Sequence, residues 1–127
     1  MIKTGLLWSA AFIAAMLAIS VYGWTAIPDG AEIARHWDIN GNPNGFSSKM
    51  EILLMTPGIA VFVSAVLAIV PLIFPRRENL ERSSAFYLTG WIGAMALVTV
   101  VHFTIVHGGA TGAEPQIGLV MAVTGAF

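Results

Sequence analysis

The sequence predicts an all-α membrane protein, a transmembrane helical bundle. Three spanning helices and the start of a fourth are expected, with an ordered, turn-rich extracytoplasmic loop between the first two. Three observations predict it. Of 127 residues, 57% are hydrophobic and 10% charged, whereas a soluble domain is about a quarter charged. No charged residue lies between Lys3 and Asp29, between Glu51 and Arg76, or between Arg82 and Glu114. Each gap exceeds the roughly 20 apolar residues that cross the hydrocarbon core. The charges collect between these gaps, unlike the amphipathic pattern of soluble helices.

The first helix is expected over about residues 5–24. It is rich in small residues (Ser9, Ala10, Ala11, Ala14, Ala15, Ala18), several of them four apart, a spacing that admits close helix approach in lipid. Tyr22 and Trp24 end it, where amphipathic rings favour the headgroup level. A cleaved signal peptide is the rival reading, with Lys3 as its basic end and Ala18-Ile19-Ser20 as the cleavage site. The apolar run continues to Trp24, longer than a usual signal core, so the segment is read as a retained helix.

The second helix is expected over 49–74. Residues 53–74 include thirteen Leu, Ile, Val or Phe, which favour insertion by about −4 to −8 kcal/mol before the cost of polar and helix-breaking residues. Ser48-Lys49-Met50-Glu51 reads as a capping box, and Thr56-Pro57 as an alternative start. One long helix from Lys49, bent near Pro57, is preferred because membrane helices tolerate interior proline. The third helix is expected over 85–106, with Gly90, Gly93 and Ala94 as a close-packing face and Gly108-Gly109 as its end. The apolar tail over 117–127 extends about 16 Å as a helix, half the hydrocarbon thickness. It reads as a fourth helix cut short, and the chain, a single membrane domain over 1–127, as a fragment of a longer protein.

Basic residues set the orientation. With the N-terminus inside, Lys3, Arg76, Arg77 and Arg82 are cytoplasmic, and Arg35 and Lys49 are outside. Four against two favours a cytoplasmic N-terminus. The loop over 25–48 then faces outward, and the loop over 75–84 faces the cytoplasm.

Pro28 stops the first helix. Asp29 and Glu32 have capping-box spacing, so a short helix over 30–37 is expected. Asn40-Gly41 and Asn44-Gly45 each favour positive φ and a tight turn. The loop is expected to lie as a cap on the helix ends, with Trp37 and Phe46 in the interface. Three site readings compete here. From Asn40 to Glu51 the spacing follows the EF-hand pattern, but calcium would find one carboxylate, Glu51; consecutive asparagine turns explain the pattern better. His36, Asp38 and Ser47 or Ser48 are the residue types of a hydrolytic triad, but nothing in the spacing fixes their geometry. Recognition of a peptide, lipid headgroup or membrane protein suits a rigid polar and aromatic loop; a plain structural clamp is its equal.

The run Pro28-Asp29, His36-Trp37-Asp38, Gly41-Asn42-Pro43-Asn44-Gly45-Phe46 and Ser48-Lys49 resembles the signature of an uncharacterised bacterial membrane domain. That domain forms the N-terminal part of the SdpI-type immunity proteins, which protect producing cells from a secreted toxin. Pro75-Arg76-Arg77-Glu78-Asn79-Leu80-Glu81 looks like the basic cytoplasmic turn of the same family. The resemblance implies a bacterial inner-membrane protein in toxin immunity or membrane signalling. Its motif positions here are Pro28, His36, Gly41, Gly45, Lys49, Arg76 and Asn79. With neighbouring Trp37, Asp38 and Asn44, the outer-loop set is the expected binding surface. Arg76, Arg77 and Asn79 mark the cytoplasmic loop, a connector near anionic lipid or a dock for a cytoplasmic regulator.

His102 lies within the third helix, and an intramembrane ionisable residue is a functional candidate. His102 and His107 are five apart, about 140° around a helix, so they cannot share a metal. Neither of the first two helices offers a facing histidine for haem. No metal or cofactor is expected. His102 is read as neutral and hydrogen-bonded to a neighbouring helix, and His107 as interfacial. The expected function is non-enzymatic: recognition of a peptide toxin or another membrane protein. A subunit of a transporter or enzyme complex using His102, or a structural module, are the alternatives. A net charge of −1 gives no basic field for nucleic acid.

Overall fold

The structure, a computed structural model, describes residues 1–73 and 84–111; of residues 34–37 and 43–44 it describes the backbone path alone. In chain order the elements are α1 (Ile2–Ala26), β1 (Glu32–Trp37), β2 (Pro43–Ser48), α2 (Lys49–Ile73) and α3 (Ser84–Thr111). All three helices are long and apolar enough to cross a membrane. Helix α1 packs against both α2 and α3. Its contacts with α3 run in parallel order: Gly5 and Ser9 meet Trp91, Ser20 meets His102, and Gly23 meets Val106.

The bundle is held by two apolar layers. Met16, Ala60, Trp91 and Met95 form the middle one. Ile27, Ile52, Leu53, Ile105 and Val106 form the one beneath the hairpin, completed by Ile33 of β1. The face of α1 that packs is Gly5, Ser9, Met16, Ser20 and Gly23. This corrects the alanine stripe: Ala10, Ala11, Ala14, Ala15 and Ala18 are exposed. In lipid an alanine gains nothing by leaving the surface, whereas glycine lets a large neighbour approach and serine supplies a hydrogen bond. A Cβ on Gly5 would lie 2.5 Å from the Trp91 ring, and one on Gly23 would lie 2.6 Å from Leu53 and 2.7 Å from Val106. Of the small residues expected to pack on α3, Gly93 is buried, while Gly90 is exposed and has nothing within 4 Å.

Helix α2 is one helix from Lys49, with Pro57 and Pro71 inside it. Its start is capped as expected: Glu51 N donates to Ser48 Oγ (3.4 Å), which donates to Glu51 Oε1 (3.2 Å). Each interior proline lacks the N–H that would bond the carbonyl four residues back. For Pro57 that carbonyl belongs to Leu53, and Ser20 Oγ of α1 donates to it at 2.7 Å. For Pro71 it belongs to Leu67, and Tyr87 Oη of α3 donates to it at 2.7 Å. Both orphaned carbonyls therefore find a hydroxyl from a neighbouring helix. An unmet carbonyl is costly where no water is present, so these bonds explain how α2 carries two prolines.

Three expectations fail at the hairpin end. The segment expected as a helix over 30–37 is strand β1, paired antiparallel with β2. Alternation places Ile33 in the core and leaves Glu32 exposed, and the Asn40-Gly41 turn returns the chain as a hairpin. Asn44-Gly45 is not a turn but part of β2. The register carries two irregularities, Ala34↔Phe46 to His36↔Gly45 and on to Trp37↔Pro43, so Arg35 and Asn44 are extra residues in the ladder. Helix α3 also runs past Gly108-Gly109 to Thr111. Gly109 is a contact point rather than a stop, because its missing Cβ leaves room for Ile33 and Ile27 at 3.2–3.3 Å. The expected cytoplasmic loop over 75–84, but for its last residue, and the partial helix over 117–127 lie outside the described residues.

Candidate functional site

The hairpin turn is built by Asp38. Its Oδ1 accepts from Asn40 N and Asn42 N, both at 2.9 Å. Its own backbone pairs with Asn42 O (2.9 Å), and its carbonyl accepts from Gly41 N (3.0 Å). Gly41 has φ +82°, a conformation that favours glycine. An aspartate that binds its own backbone two residues on is the usual chemistry of such turns. Asp38 Oδ1 is thus committed to the turn. The EF-hand-like spacing from Asn40 to Glu51 is laid out as turn, strand and helix start, with the Glu51 carboxylate on Ser48. No group of three or more metal-ligating side chains gathers among the described residues.

Where α1 ends, the chain turns at exposed Pro28, whose carbonyl accepts from Ala31 N (3.3 Å). This turn brings Asp29 back over the start of α2. Lys49 Nζ lies 3.1 Å from Asp29 Oδ1 and 4.5 Å from the centre of the Trp24 ring. The Lys49 side chain is 11% exposed and that of Asp29 is 97% exposed, so the ring and the stem of the lysine hold the ammonium more than the screened carboxylate does. Between them a cavity of about 520 Å³ opens, walled by the end of α1, the hairpin and the first turn of α2. Ser47 is on its wall. It pairs with Ile33, so its side chain turns to the core face, where its hydroxyl is buried with no partner among the described residues.

Of the binding positions read from the sequence, the structure brings Lys49 to this cavity. Asp38 and Gly41 form the turn at the far end of the hairpin, and Gly45 faces His36 across the ladder. The side chains of His36, Trp37 and Asn44 lie outside the described residues, as do Arg76, Arg77 and Asn79. Phe46 lines the cavity and is half exposed. Sequence reasoning read Ser47 as a candidate nucleophile, Glu51 as a candidate calcium ligand and Asp29 and Glu32 as a helix start, and did not group the three acids around Lys49, because only the folded hairpin brings them to one cavity.

A second polar cluster lies inside the bundle. Ser20 Oγ gives its proton to Leu53 O, so at 2.9 Å from His102 Nε2 it accepts. The ring is therefore protonated at Nε2, and Nδ1 is an acceptor. That Nδ1 is buried, with no partner among the described residues. His107 sits differently, stacked on Phe103 and hydrogen-bonded to Tyr22 Oη at 3.2 Å on an exposed face. The signal for Ser20 and Tyr87 was present in the sequence as two interior prolines, each requiring a hydroxyl on another helix.

Three helices able to cross a membrane and an ordered hairpin at one end define a multi-pass membrane protein. Residues 11–61, which run from within α1 through the hairpin into α2, match the model of a domain of unknown function, DUF1648. The match names a domain and no activity. No curated protein and no solved structure matches the chain.

Proposed function

We propose that the chain is a non-enzymatic membrane recognition protein of the SdpI-like kind, acting in toxin immunity or membrane signalling. It sits in a bacterial inner membrane with its N-terminus in the cytoplasm, so the hairpin faces outward. There the hairpin engages a peptide toxin or another membrane protein, and the bundle relays or blocks the effect. The observation that carries this reading is the anchored hairpin. A two-stranded hairpin alone is marginal in water, yet this one is closed by the Asp38 turn and seated on the helix ends through Ile33. A rigid polar surface on a helical base suits recognition. The match to a domain of unknown function over residues 11–61 covers the hairpin.

The test compares survival of cells with and without the chain in the presence of toxin-secreting neighbours. His36→Ala and Gly45→Val should each abolish protection at unchanged membrane level. Full protection by a chain with a scrambled hairpin would sink the proposal. The unpartnered Nδ1 of buried His102 favours a second reading, a transport or enzyme-complex subunit with a proton or substrate path. That reading requires a pH-dependent flux that His102→Leu abolishes.

A further inference from the structure

The cavity beside the hairpin has a chemistry of its own. Its volume of about 520 Å³ is that of a small-ligand site, roughly 300–1,000 Å³. Its cation is Lys49, largely enclosed and set on the first residue of α2. The positive end of the helix dipole therefore adds to its field. The partner Lys49 now has, Asp29, is almost wholly in water, and such an ion pair exchanges readily for another anion. The site thus offers a cation to an oxyanion.

The rim has the opposite character. Asp29, Glu32 and Glu51 are exposed carboxylates lining the same cavity. A simple anion would meet their repulsion, and a simple cation would meet Lys49. A zwitterion with an oxyanion and a hydrogen-bonding ammonium satisfies both. Apolar groups complete the opening: Trp24, Phe46 and Met50 are each about half exposed. Leu54, one turn further along α2, is 60% exposed on the stretch that meets lipid tails. Tryptophan at the end of a spanning helix sits at the headgroup level.

We propose that this cavity binds the phosphoethanolamine headgroup of a bilayer phospholipid. The phosphate lies on Lys49 Nζ at the start of α2. The primary ammonium lies against Glu32 and the Asp29 carboxylate that the phosphate displaces. The acyl chains pass Trp24 and Met50 onto the lipid-facing side of α2. A choline headgroup lacks N–H donors for the carboxylates, and a glycerol headgroup leaves the phosphate charge unbalanced before three acids. The inference requires the hairpin to lie at the membrane surface; it does not require a toxin or protein partner, so the protection assay can fail while this site stands.

The test uses the full chain in mild detergent, equilibrated with equimolar dioleoyl phosphatidylethanolamine, phosphatidylcholine and phosphatidylglycerol and read by native mass spectrometry. One phosphatidylethanolamine should be retained, about fivefold over either competitor, a ratio that corresponds to about 1 kcal/mol, one net hydrogen bond. Lys49→Gln should lower retention of all three lipids. Glu32→Gln should erase the preference over phosphatidylglycerol while keeping phospholipid bound. Equal retention of the three lipids by the unaltered chain, undiminished retention by Lys49→Gln, or an unchanged preference in Glu32→Gln overturns the proposal.

Discussion

The bond from Tyr87 to the carbonyl that Pro71 orphans can be tested by a cycle of four proteins. Tyr87→Phe deletes one hydroxyl and keeps the ring, which packs at a right angle to Trp91 with centroids 6.2 Å apart. It removes a 2.7 Å bond and leaves Leu67 O without a donor. Cross-helix hydrogen bonds in membrane proteins average about 0.6 kcal/mol and reach about 1.7. The high end applies here, because Pro71 removes the carbonyl's alternative partner; a loss of about 1.5 kcal/mol is expected. In a Pro71→Ala background residue 71 regains its N–H, and the same tyrosine change should cost about 0.5 kcal/mol or less. The packing lost with the proline ring appears in both arms and cancels. Unfolding in mixed micelles of mild detergent and dodecyl sulfate, followed by tryptophan fluorescence, gives the four stabilities. A coupling energy near 1 kcal/mol is predicted. Additivity within about 0.3 kcal/mol would refute the idea that the hydroxyl replaces the bond proline cannot make.

Ser20→Ala should cost more, about 2–3 kcal/mol in the same titration, because it orphans both Leu53 O and His102 Nε2; adding Pro57→Ala should recover the carbonyl's share and not the histidine's. Gly23→Val places atoms into Leu53 and Val106 and should destabilise by about 3 kcal/mol, whereas Gly58→Ala, with nothing within 4 Å of the new Cβ, should be neutral or stabilising by up to about 1 kcal/mol. Asp38→Ala removes two backbone bonds and Gly41→Val forces a branched residue to φ +82°; each should cost the hairpin about 1–2 kcal/mol, read as faster amide exchange in β1 and β2 with the helices unchanged.

The spanning helices were legible because lipid imposes one rule, length without charge, and the three gaps between charges obey it. The start of α2 was legible from Ser48 and Glu51 because a capping box is local. The hairpin was half legible. Asn40-Gly41 marked its turn, but Asp29 and Glu32 imitated a helix start, and the strand identity of residues 32–37 depends on pairing with residues beyond the turn. The packing faces were misread for a different reason. Alanines four apart and the glycine–serine face of α1 satisfy the same spacing rule. What separates them is the shape of the neighbour, Trp91 against Gly5 and Val106 against Gly23. The cavity was the least visible feature, since it joins the ends of α1 and α2 with the hairpin between them.

Gly109 tests how the hairpin is held. Glycine near the end of an expected helix reads as a stop, yet α3 continues through it and uses its bare backbone as a seat for Ile33 and Ile27. The hairpin cannot be ordered by its ladder alone, since two strands with two irregularities form too little structure to stand in water. Its order must come from burying Ile33, which is 4% exposed. Full burial of an isoleucine contributes about 1.5–3 kcal/mol, comparable to what a small hairpin lacks. Gly109→Leu would fill the seat from the α3 side, where a Cβ already approaches Ile33 to 3.2 Å, while the Ser20–His102 and Tyr87–Leu67 bonds below remain. Amide protection in β1 and β2 should therefore fall at least tenfold, about 1.4 kcal/mol, with helix protection and the micelle unfolding midpoint little changed. If hairpin and bundle lose protection together, Ile33 is part of one cooperative core rather than a latch. If neither changes, the hairpin is held by something other than its isoleucine, and the rigidity on which the recognition proposal depends has another source.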